Sequence, residues 1–226
     1  FVRVAIGPFG GVVADWQQII VLISILSMLV GSFAALRQEN IKRLMAYSSI
    51  GHVGFALVGL AAGTEEGVTG VLVYLGIYLV MNLGTFAVIL CMRRNDRMNE
   101  EITDLAGLAK TKPLMAAITA ILMFSMAGIP PLAGFFGKFY VFKAAVDAGL
   151  VTLAVIGLVT SVVSAYYYLR IIKVMYFDEP VEGFDRNGTE MNVIMAVATI
   201  AILAFVFFPN PLMDSAAIAA ASLFGQ

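Results

Sequence analysis

The sequence predicts an all-α integral membrane protein with about six transmembrane helices, one of which is broken at Pro130-Pro131. Composition is the first reason: 61% of the 226 residues are hydrophobic and only 13% are charged, whereas a soluble domain carries about 25% charged residues. The second reason is the spacing of the charges, which leaves six long charge-free runs. The third is a double proline inside the longest apolar stretch of the chain.

The charge-free runs are 21 to 26 residues long. A helix needs about 20 apolar residues to cross the hydrocarbon core, and strands of a membrane β-barrel are about 9–11 residues long and alternate in polarity. The sequence lacks such alternation, so each run predicts one membrane-spanning helix: Trp16–Leu36, Leu44–Thr64, Gly67–Met92, Pro113–Gly137, Ala148–Leu169 and Met191–Met213.

The chain divides into three parts. Residues 1–15 predict the end of a preceding helix followed by a glycine- and proline-containing turn. Residues 16–176 contain the first five spans, and residues 177–226 contain an acidic loop and the final span with a short tail. The sequence begins with Phe1 rather than methionine, and we expect it to be the C-terminal part of a longer protein.

Lysine and arginine residues predict the orientation. Alternate connections on one side of the spans hold 11 of the 14 basic residues, and positive charge accumulates on the cytoplasmic side of a membrane protein. We therefore expect a multi-pass protein of the bacterial inner membrane in which the start and the C-terminus of this chain both lie on the periplasmic side.

Several functions are excluded by composition. A net charge of −1 argues against nucleic-acid binding, which needs a basic face. The single cysteine, Cys91, excludes a disulfide framework, and the single histidine, His52, excludes a multi-histidine metal site within the chain. The sequence offers no ligand set for haem, flavin, iron–sulfur clusters or nicotinamide, so we expect no metal site and no cofactor in this chain.

The connections and aromatic residues give three smaller predictions. Asn99 is a candidate N-cap for a short interfacial helix that carries Ile102, Leu105 and Leu108 on one side. The acidic segment Phe177–Glu190 is typical of a solvated loop. Trp16 and the run Tyr166-Tyr167-Tyr168 are predicted to belong to interfacial aromatic belts.

The fourth span is too long for one straight helix. The apolar stretch Pro113–Val146 has 34 residues if Lys138 and Lys143 are included, or about 50 Å as a helix against a hydrocarbon core of about 30 Å. Pro130-Pro131 removes two backbone donors and must break it. An unwound segment at membrane depth has to line protein or water, and such breaks mark ion and substrate sites in transporters.

Lys138 lies shortly after this break. One interpretation is a helix-end lysine that reaches to the interface. The other is a proton carrier, because a lysine removed from water can load and release a proton near neutral pH. The residues alone do not decide between them.

Four further polar residues lie within predicted spans. Tyr74, Tyr78 and Asn82 recur at i, i+4 and i+8 and share one helical face. Hydrogen bonds between packed helices would explain them, and so would a hydrated channel lining. His52 suits a proton relay, although a structural, hydrogen-bonded histidine fits equally well.

The segment from Gln38 to Ile50, with its Ile41-Lys42-Arg43 and Ala46-Tyr47-Ser48-Ser49 elements, resembles a signature of the antiporter-like membrane proteins. These include the proton-pumping subunits of respiratory complex I and the Mrp-type cation/proton antiporters. Two further segments, Gly128–Tyr140 and Ser164–Lys173, narrow the resemblance to the subunit N family of bacterial NADH–quinone oxidoreductase.

The resemblance implies a fold and roles for individual residues. The chain would be the last six of fourteen helices, with residues 16–176 as the second antiporter-like repeat. Lys138 falls on the family's channel lysine on a broken helix. Tyr74, Tyr78 and Asn82 stand where sister subunits carry a His/His/Lys pattern, so this chain lacks the usual central lysine. The Glu/Lys pair of the first repeat is absent from the sequence, and this chain alone should not pump.

The resemblance also implies a function. The chain would be a membrane-arm subunit of NADH:quinone oxidoreductase, a translocase of the respiratory chain, with Lys138 as proton carrier and His52, Tyr74, Tyr78 and Asn82 along its pathway. Its partners would be the lipid bilayer, an adjacent antiporter-like subunit and small membrane subunits. Flavin, iron–sulfur clusters and quinone would be bound elsewhere. A Mrp-type antiporter subunit is the alternative, and a purely structural membrane scaffold is a third possibility.

Overall fold

A computed structural model describes residues 1–225, which form ten α-helices, one two-stranded hairpin and two 3-10 turns. The helices are α1 (Val2–Ile6), α2 (Val13–Leu36), α3 (Ile41–Ala61), α4 (Glu65–Leu90), α5 (Leu108–Thr111), α6 (Pro113–Ala127), α7 (Ala133–Asp147), α8 (Val151–Phe177), α9 (Thr189–Phe207) and α10 (Asn210–Ala221); the strands are β1 (Arg93–Arg94) and β2 (Arg97–Met98), and the 3-10 turns are Gly10–Val12 and Ile102–Leu105.

Long apolar helices dominate the described residues, and the prediction of an all-α integral membrane protein is confirmed. Five helices in residues 1–225 are long and apolar enough to cross a membrane: α2 with its preceding turn, α3, α4, α8 and α9. The predicted fourth span is divided between α6 and α7, which have 15 residues each. The predicted break at Pro130-Pro131 is confirmed, because the chain is non-helical from Gly128 to Leu132.

Local sequence sets the starts of α3 and α4. The Asn40 side chain accepts a hydrogen bond from the backbone N–H of Arg43 at 3.1 Å, and the Thr64 hydroxyl accepts one from Gly67 N–H at 3.1 Å. Each bond satisfies a donor that the first helical turn leaves free. Glu65 and Glu66 lie in the first turn of α4, where the helix dipole favours negative charge.

Helix α4 is at the centre of the fold, where it packs against α3, α6, α7, α9 and α10. The pair α2 and α3 crosses closely at Gly31 and Gly51, because a Cβ on Gly31 would lie 2.7 Å from Cα of Gly51. Large apolar side chains such as Leu22, Val162 and Val197 are exposed on the outer helix faces. In water such faces would be unstable, so they identify the lipid-facing surface.

The connection between α4 and α6 differs from its prediction. Asn95 and Asp96, both with positive φ, form the two-residue turn between β1 and β2, a backbone shape that asparagine and aspartate tolerate. The expected interfacial helix is a 3-10 turn followed by the four-residue α5, and Glu101 rather than Asn99 precedes that turn as its cap. The prediction of one short helix capped by Asn99 is therefore wrong.

This connection is fastened to the start of α3. Backbone hydrogen bonds join Ile41 N–H to the Glu100 carbonyl at 2.7 Å and Ile102 N–H to the Glu39 carbonyl at 2.8 Å. Lys42 forms an ion pair with the Glu100 carboxylate at 2.7 Å. The hydrogen bonds that Lys42 and then Asn40 donate hold the pKa of the Glu100 carboxyl below its ordinary value.

The segment between α8 and α9 is irregular, but it is docked rather than freely solvated. Phe184 is buried, and the Arg94 guanidinium lies over its ring, with 4.7 Å between the guanidinium carbon and the ring centre. The Asp185 carboxylate accepts hydrogen bonds from the backbone N–H groups of Asn95 and Asp96 at 3.2 and 3.0 Å. The residues that follow the last span form α10, which packs against α4.

Candidate functional site: a buried lysine at a helix break

The end of α6 exposes the backbone carbonyls that a longer helix would have used. Gly128, at φ +83°, turns the chain in a left-handed conformation that glycine adopts without strain. Its N–H bonds back to the Ser125 carbonyl at 3.0 Å, and Ile129 N–H bonds to the Phe124 carbonyl at 3.1 Å. Within the described part of the chain, no backbone N–H donates to the carbonyls of Met126 and Ala127, because the residues four positions further on are Pro130 and Pro131.

Lys138 supplies the donor that these two carbonyls lack. Its Nζ donates hydrogen bonds to the carbonyl oxygens of Met126 at 3.2 Å and Ala127 at 2.9 Å, and to the Ser161 hydroxyl on α8 at 2.9 Å. It also lies 5.0 Å from the ring centre of Phe55 on α3. The residue is only 5% exposed, so it does not extend to the membrane interface.

The surroundings of the Lys138 ammonium contain partial charges but no carboxylate among these contacts. All three acceptors are neutral oxygens, and two of them belong to the C-terminal end of α6, where the helix dipole is negative. A cation over the face of an aromatic ring gains further electrostatic stabilisation. The site can therefore hold the charged form without fixing it through an ion pair.

His52 is the centre of a second polar cluster. Its Nδ1 lies 2.6 Å from the Tyr74 hydroxyl on α4 and its Nε2 lies 2.8 Å from the Tyr168 hydroxyl on α8. The Tyr168 hydroxyl also contacts the Ser48 hydroxyl one turn earlier on α3. Three helices thus contribute to one continuous hydrogen-bonded array of four side chains, all of them buried.

The predicted stripe on α4 turns toward the protein. Tyr74 is 3% exposed. Tyr78 is half-buried, stacks on the His52 ring with 4.7 Å between centres and donates a hydrogen bond to Ser49 at 2.7 Å. Asn82 is half-buried, and its Oδ1 is buried with no hydrogen-bond partner among residues 1–225. The structure therefore brings Tyr74 and Tyr78 to His52 and places Asn82 further along the same face.

The lysine and histidine clusters adjoin each other. The Phe55 ring contacts the His52 ring edge-on at 6.1 Å and has the Lys138 ammonium over its face. His52, Tyr74, Ser125 and Lys138 line a tightly packed gap between the two clusters. In this conformation the gap leaves no room for a whole water molecule.

Sequence reasoning missed three polar members of these clusters, Ser48, Tyr168 and Ser161. Tyr167 and Tyr168 are fully buried, so their assignment to an interfacial aromatic belt is wrong; only Tyr166 of that run is exposed, at 61%. Ser161 was not singled out as a partner of Lys138. A signal was present, because residues 161, 164 and 168 recur at i, i+3 and i+7 and share one face of α8.

Comparison with known proteins places the chain in a family. The family described as "NADH:quinone oxidoreductase/Mrp antiporter, TM" matches residues 2–164, well over half of the chain. The chain belongs to this family. The family assignment agrees with the signature found around Lys42.

Individual members of the family are also similar to the chain. It is 65% identical over 224 residues to NADH-quinone oxidoreductase subunit N of Paramagnetospirillum magneticum, which covers 99% of this chain and 46% of that relative. The chain thus spans about half the length of the curated relatives it matches. Respiratory complex I of Thermus thermophilus with bound aureothin contains a chain with a TM-score of 0.75 and 33% identity, covering 87% of this chain and 45% of the other.

The antiporter branch of the family shares the fold. A chain of the Mrp complex of Dietzia sp. DQ12-45-1b superposes with a TM-score of 0.84 at 22% identity, covering 93% of this chain and 48% of that chain. At this identity the likeness concerns the helical arrangement and carries no information about the transported ion.

Proposed function

We propose that this chain provides one proton half-channel in the membrane arm of an NADH:quinone oxidoreductase, with Lys138 as the intramembrane proton carrier. The observation that carries the proposal is the Lys138 site itself: a buried ammonium at a helix break whose acceptors are all neutral. A lysine paired with a carboxylate would hold its proton firmly, whereas this arrangement allows the charge to come and go.

Ser161 makes the site compatible with both protonation states. A hydroxyl can accept a hydrogen bond or donate one. Ser161 accepts from the charged ammonium and can rotate to donate to the neutral amine after the proton has left. The carbonyls of Met126 and Ala127 can keep accepting from the remaining N–H bonds. Loss of the proton therefore leaves no polar atom of the site without a partner.

His52 would relay protons to and from this site. A neutral imidazole has one donor nitrogen and one acceptor nitrogen, so a proton taken up on one side can be released on the other. The hydroxyls of Tyr74 and Tyr168, which flank the ring, can themselves donate and accept. Transfer between His52 and Lys138 requires the gap between them to widen and admit water.

Tyr78 and Asn82 would extend the path along α4. The unpaired Oδ1 of Asn82 is a buried acceptor that a water molecule could satisfy. Because neither residue carries a charge, they would order water rather than store protons. In this proposal, Lys138 and His52 are the only groups of the half-channel that change their net charge.

The redox steps belong to other parts of the enzyme in this proposal. NADH oxidation and quinone reduction, with their flavin, iron–sulfur and quinone groups, are assigned to other subunits, and the partners of this chain would be an adjacent antiporter-like subunit and small membrane subunits. The distribution of Lys and Arg supports an inner-membrane orientation with both ends of the chain periplasmic. The sequence identity of 65% with NADH-quinone oxidoreductase subunit N of Paramagnetospirillum magneticum favours this assignment over a Mrp-type antiporter.

The proposal is tested by Lys138→Met and Lys138→Arg in the full-length protein within its assembled complex. Methionine never carries the proton and arginine never releases it, so both variants should impair proton pumping coupled to NADH oxidation. The measurements are proton uptake and quinone reduction in inverted membrane vesicles without added Na⁺, with assembly checked on native gels.

Lys143→Met is the matched control. Lys143 lies on the same helix, but its side chain is 59% exposed and pairs with Asp147 on the surface at 2.5 Å. The assembled Lys143→Met complex should pump protons like the wild type. If an assembled Lys138→Met complex translocated protons at the wild-type rate and stoichiometry, the proposed role of Lys138 would be wrong.

A further inference from the structure

A large groove lies between α6 and α9, away from Lys138. It encloses about 810 Å³ and is open on its outer side. Met115, Ile118 and Met195 form a buried apolar floor, while Leu114 and Ile200, 74% and 64% exposed, form its outer rims. The shape is that of a trough along two membrane helices.

One end of this groove is polar and positively charged. Lys112 and Arg186 line it together with Asn187 and Asn192, and the twelve lining residues include no acid. Both α6 and α9 begin at this end, so their positive dipole ends point toward it. It also faces the side of the membrane that the distribution of basic residues identifies as cytoplasmic.

Neither cation at this end forms an ion pair within residues 1–225, although the Asp185 carboxylate lies near enough to Lys112 to favour its charge. Lys112 Nζ donates to the backbone carbonyl of Asp185 and to the side-chain oxygen of Asn187, the latter at 2.8 Å, and both acceptors are neutral. Asn187 in turn donates to Asn192 at 3.2 Å, which fixes the polar rim. Arg186 is exposed and forms no ion pair with any residue that the structure describes.

We propose that this groove binds an anionic phospholipid of the bilayer. Its headgroup phosphate would lie between Lys112 and Arg186, and an acyl chain would lie along the apolar floor. Charge complementarity selects this occupant, because an uncharged helix of a partner protein would leave both cations unmatched. Basic pockets between membrane helices on the cytoplasmic side are suited to anionic headgroups.

A second groove on the molecule provides an internal comparison. It lies at the start of α2, encloses about 410 Å³ and is also apolar, but Asp15 is its only charged lining residue. It offers nothing to an anionic headgroup. Lipid that binds for its acyl chains alone should occupy both grooves, whereas an anionic lipid should prefer the one with Lys112 and Arg186.

The experiment uses the complete complex in lipid nanodiscs with photoactivatable acyl-chain probes, either phosphatidylglycerol or phosphatidylcholine. Cross-linked peptides are mapped by mass spectrometry. The phosphatidylglycerol probe should label residues 114–118 and 195–200, and the phosphatidylcholine probe should label them weakly. Arg186→Gln should lower phosphatidylglycerol labelling about fivefold, and adding Lys112→Gln should lower it about fivefold again.

Two variants serve as controls. Arg186→Lys keeps the charge and should retain labelling. Arg97→Gln removes an exposed arginine of the connection between α4 and α6 that does not line the groove, and it should have no effect. The proposal fails if both lipids label the groove equally, if Arg186→Gln labels like the wild type, or if the groove gives cross-links only to another protein segment. Proton pumping is not part of the readout, so the result is independent of the proposed function.

Discussion

Gly134 controls how closely α7 crosses the end of α6. A Cβ added at this position would lie 2.7 Å from the Ser125 carbonyl carbon and closer still to the carbonyl oxygen. Gly134 N–H also donates to the Ser125 hydroxyl at 3.1 Å. Gly134→Ala therefore has to push the two helices apart at the break, next to the Lys138 site.

The carbonyl oxygen of Ser125 sets the size of this displacement, because it would lie 1.8 Å from the new Cβ. Ordinary contact begins near 3.4 Å, so the two atoms must separate by about 1.6 Å. Transmitted in full to Lys138, the same displacement would lengthen its bond to the Ala127 carbonyl from 2.9 Å to about 4.5 Å, beyond hydrogen-bonding distance. Overpacking of this kind costs about 1–3 kcal/mol.

We expect the Gly134→Ala complex to melt at a lower temperature and to pump fewer protons per NADH oxidised. Thermal unfolding of the purified complex and proton uptake by inverted vesicles measure the two effects. Gly51→Ala is the matched control, because its Cβ would find its nearest neighbour at 3.9 Å and alanine favours a helix by up to about 1 kcal/mol. If Gly134→Ala pumped and melted like Gly51→Ala, the close crossing would not be what holds the lysine.

Two further predictions concern the histidine array and the α4–α6 connection. Tyr168→Phe removes the hydroxyl shared by His52 and Ser48; we expect a loss of stability of about 1–3 kcal/mol and slower pumping, while Tyr166→Phe, at an exposed position, should be neutral. Because the pKa of Glu100 is lowered in the folded protein, its carboxylate stabilises the fold above its unfolded pKa of about 4.3, and this stabilisation is lost as pH falls through the lower folded pKa. The melting-temperature difference between wild type and Glu100→Gln should thus be full at neutral pH and shrink in acid.

Both predictions have opposing outcomes that are easy to recognise. Equal stability and pumping for Tyr168→Phe and Tyr166→Phe would mean that the Tyr168 hydroxyl contributes nothing to the array. A melting-temperature difference for Glu100→Gln that stays constant from neutral pH into acid would mean that its carboxylate charge is not what fastens the connection to α3.

The sequence predicted the spans and the break well for physical reasons. Hydrocarbon excludes charge, so the spacing of lysine, arginine and acids marks where helices cross. Proline lacks a backbone donor, so Pro130-Pro131 had to divide this apolar stretch into two helices, α6 and α7. Lys138 stood out because it is a cation within an apolar stretch.

Other features could not be predicted from local patterns. Tyr166, Tyr167 and Tyr168 are chemically identical neighbours, yet only the packing of α8 against α2, α3 and α6 decides which hydroxyl meets His52. The acceptors of Lys138 are equally hidden, since two of them are main-chain atoms. The hairpin at Asn95 and Asp96 depends on its docking with the segment before α9, which lies about 90 residues further along the chain.

The use of main-chain carbonyls by Lys138 has a consequence for how the protein tolerates mutation. A carboxylate partner could be lost by one substitution, whereas the carbonyl oxygens of Met126 and Ala127 persist whatever side chains those positions carry. Substitutions there that remain apolar and preserve helix α6 should leave the acceptors intact. The vulnerable positions are instead those that shape the backbone, Gly128 and Gly134, so genetic damage to the lysine site should concentrate at glycines rather than at its apparent contact residues.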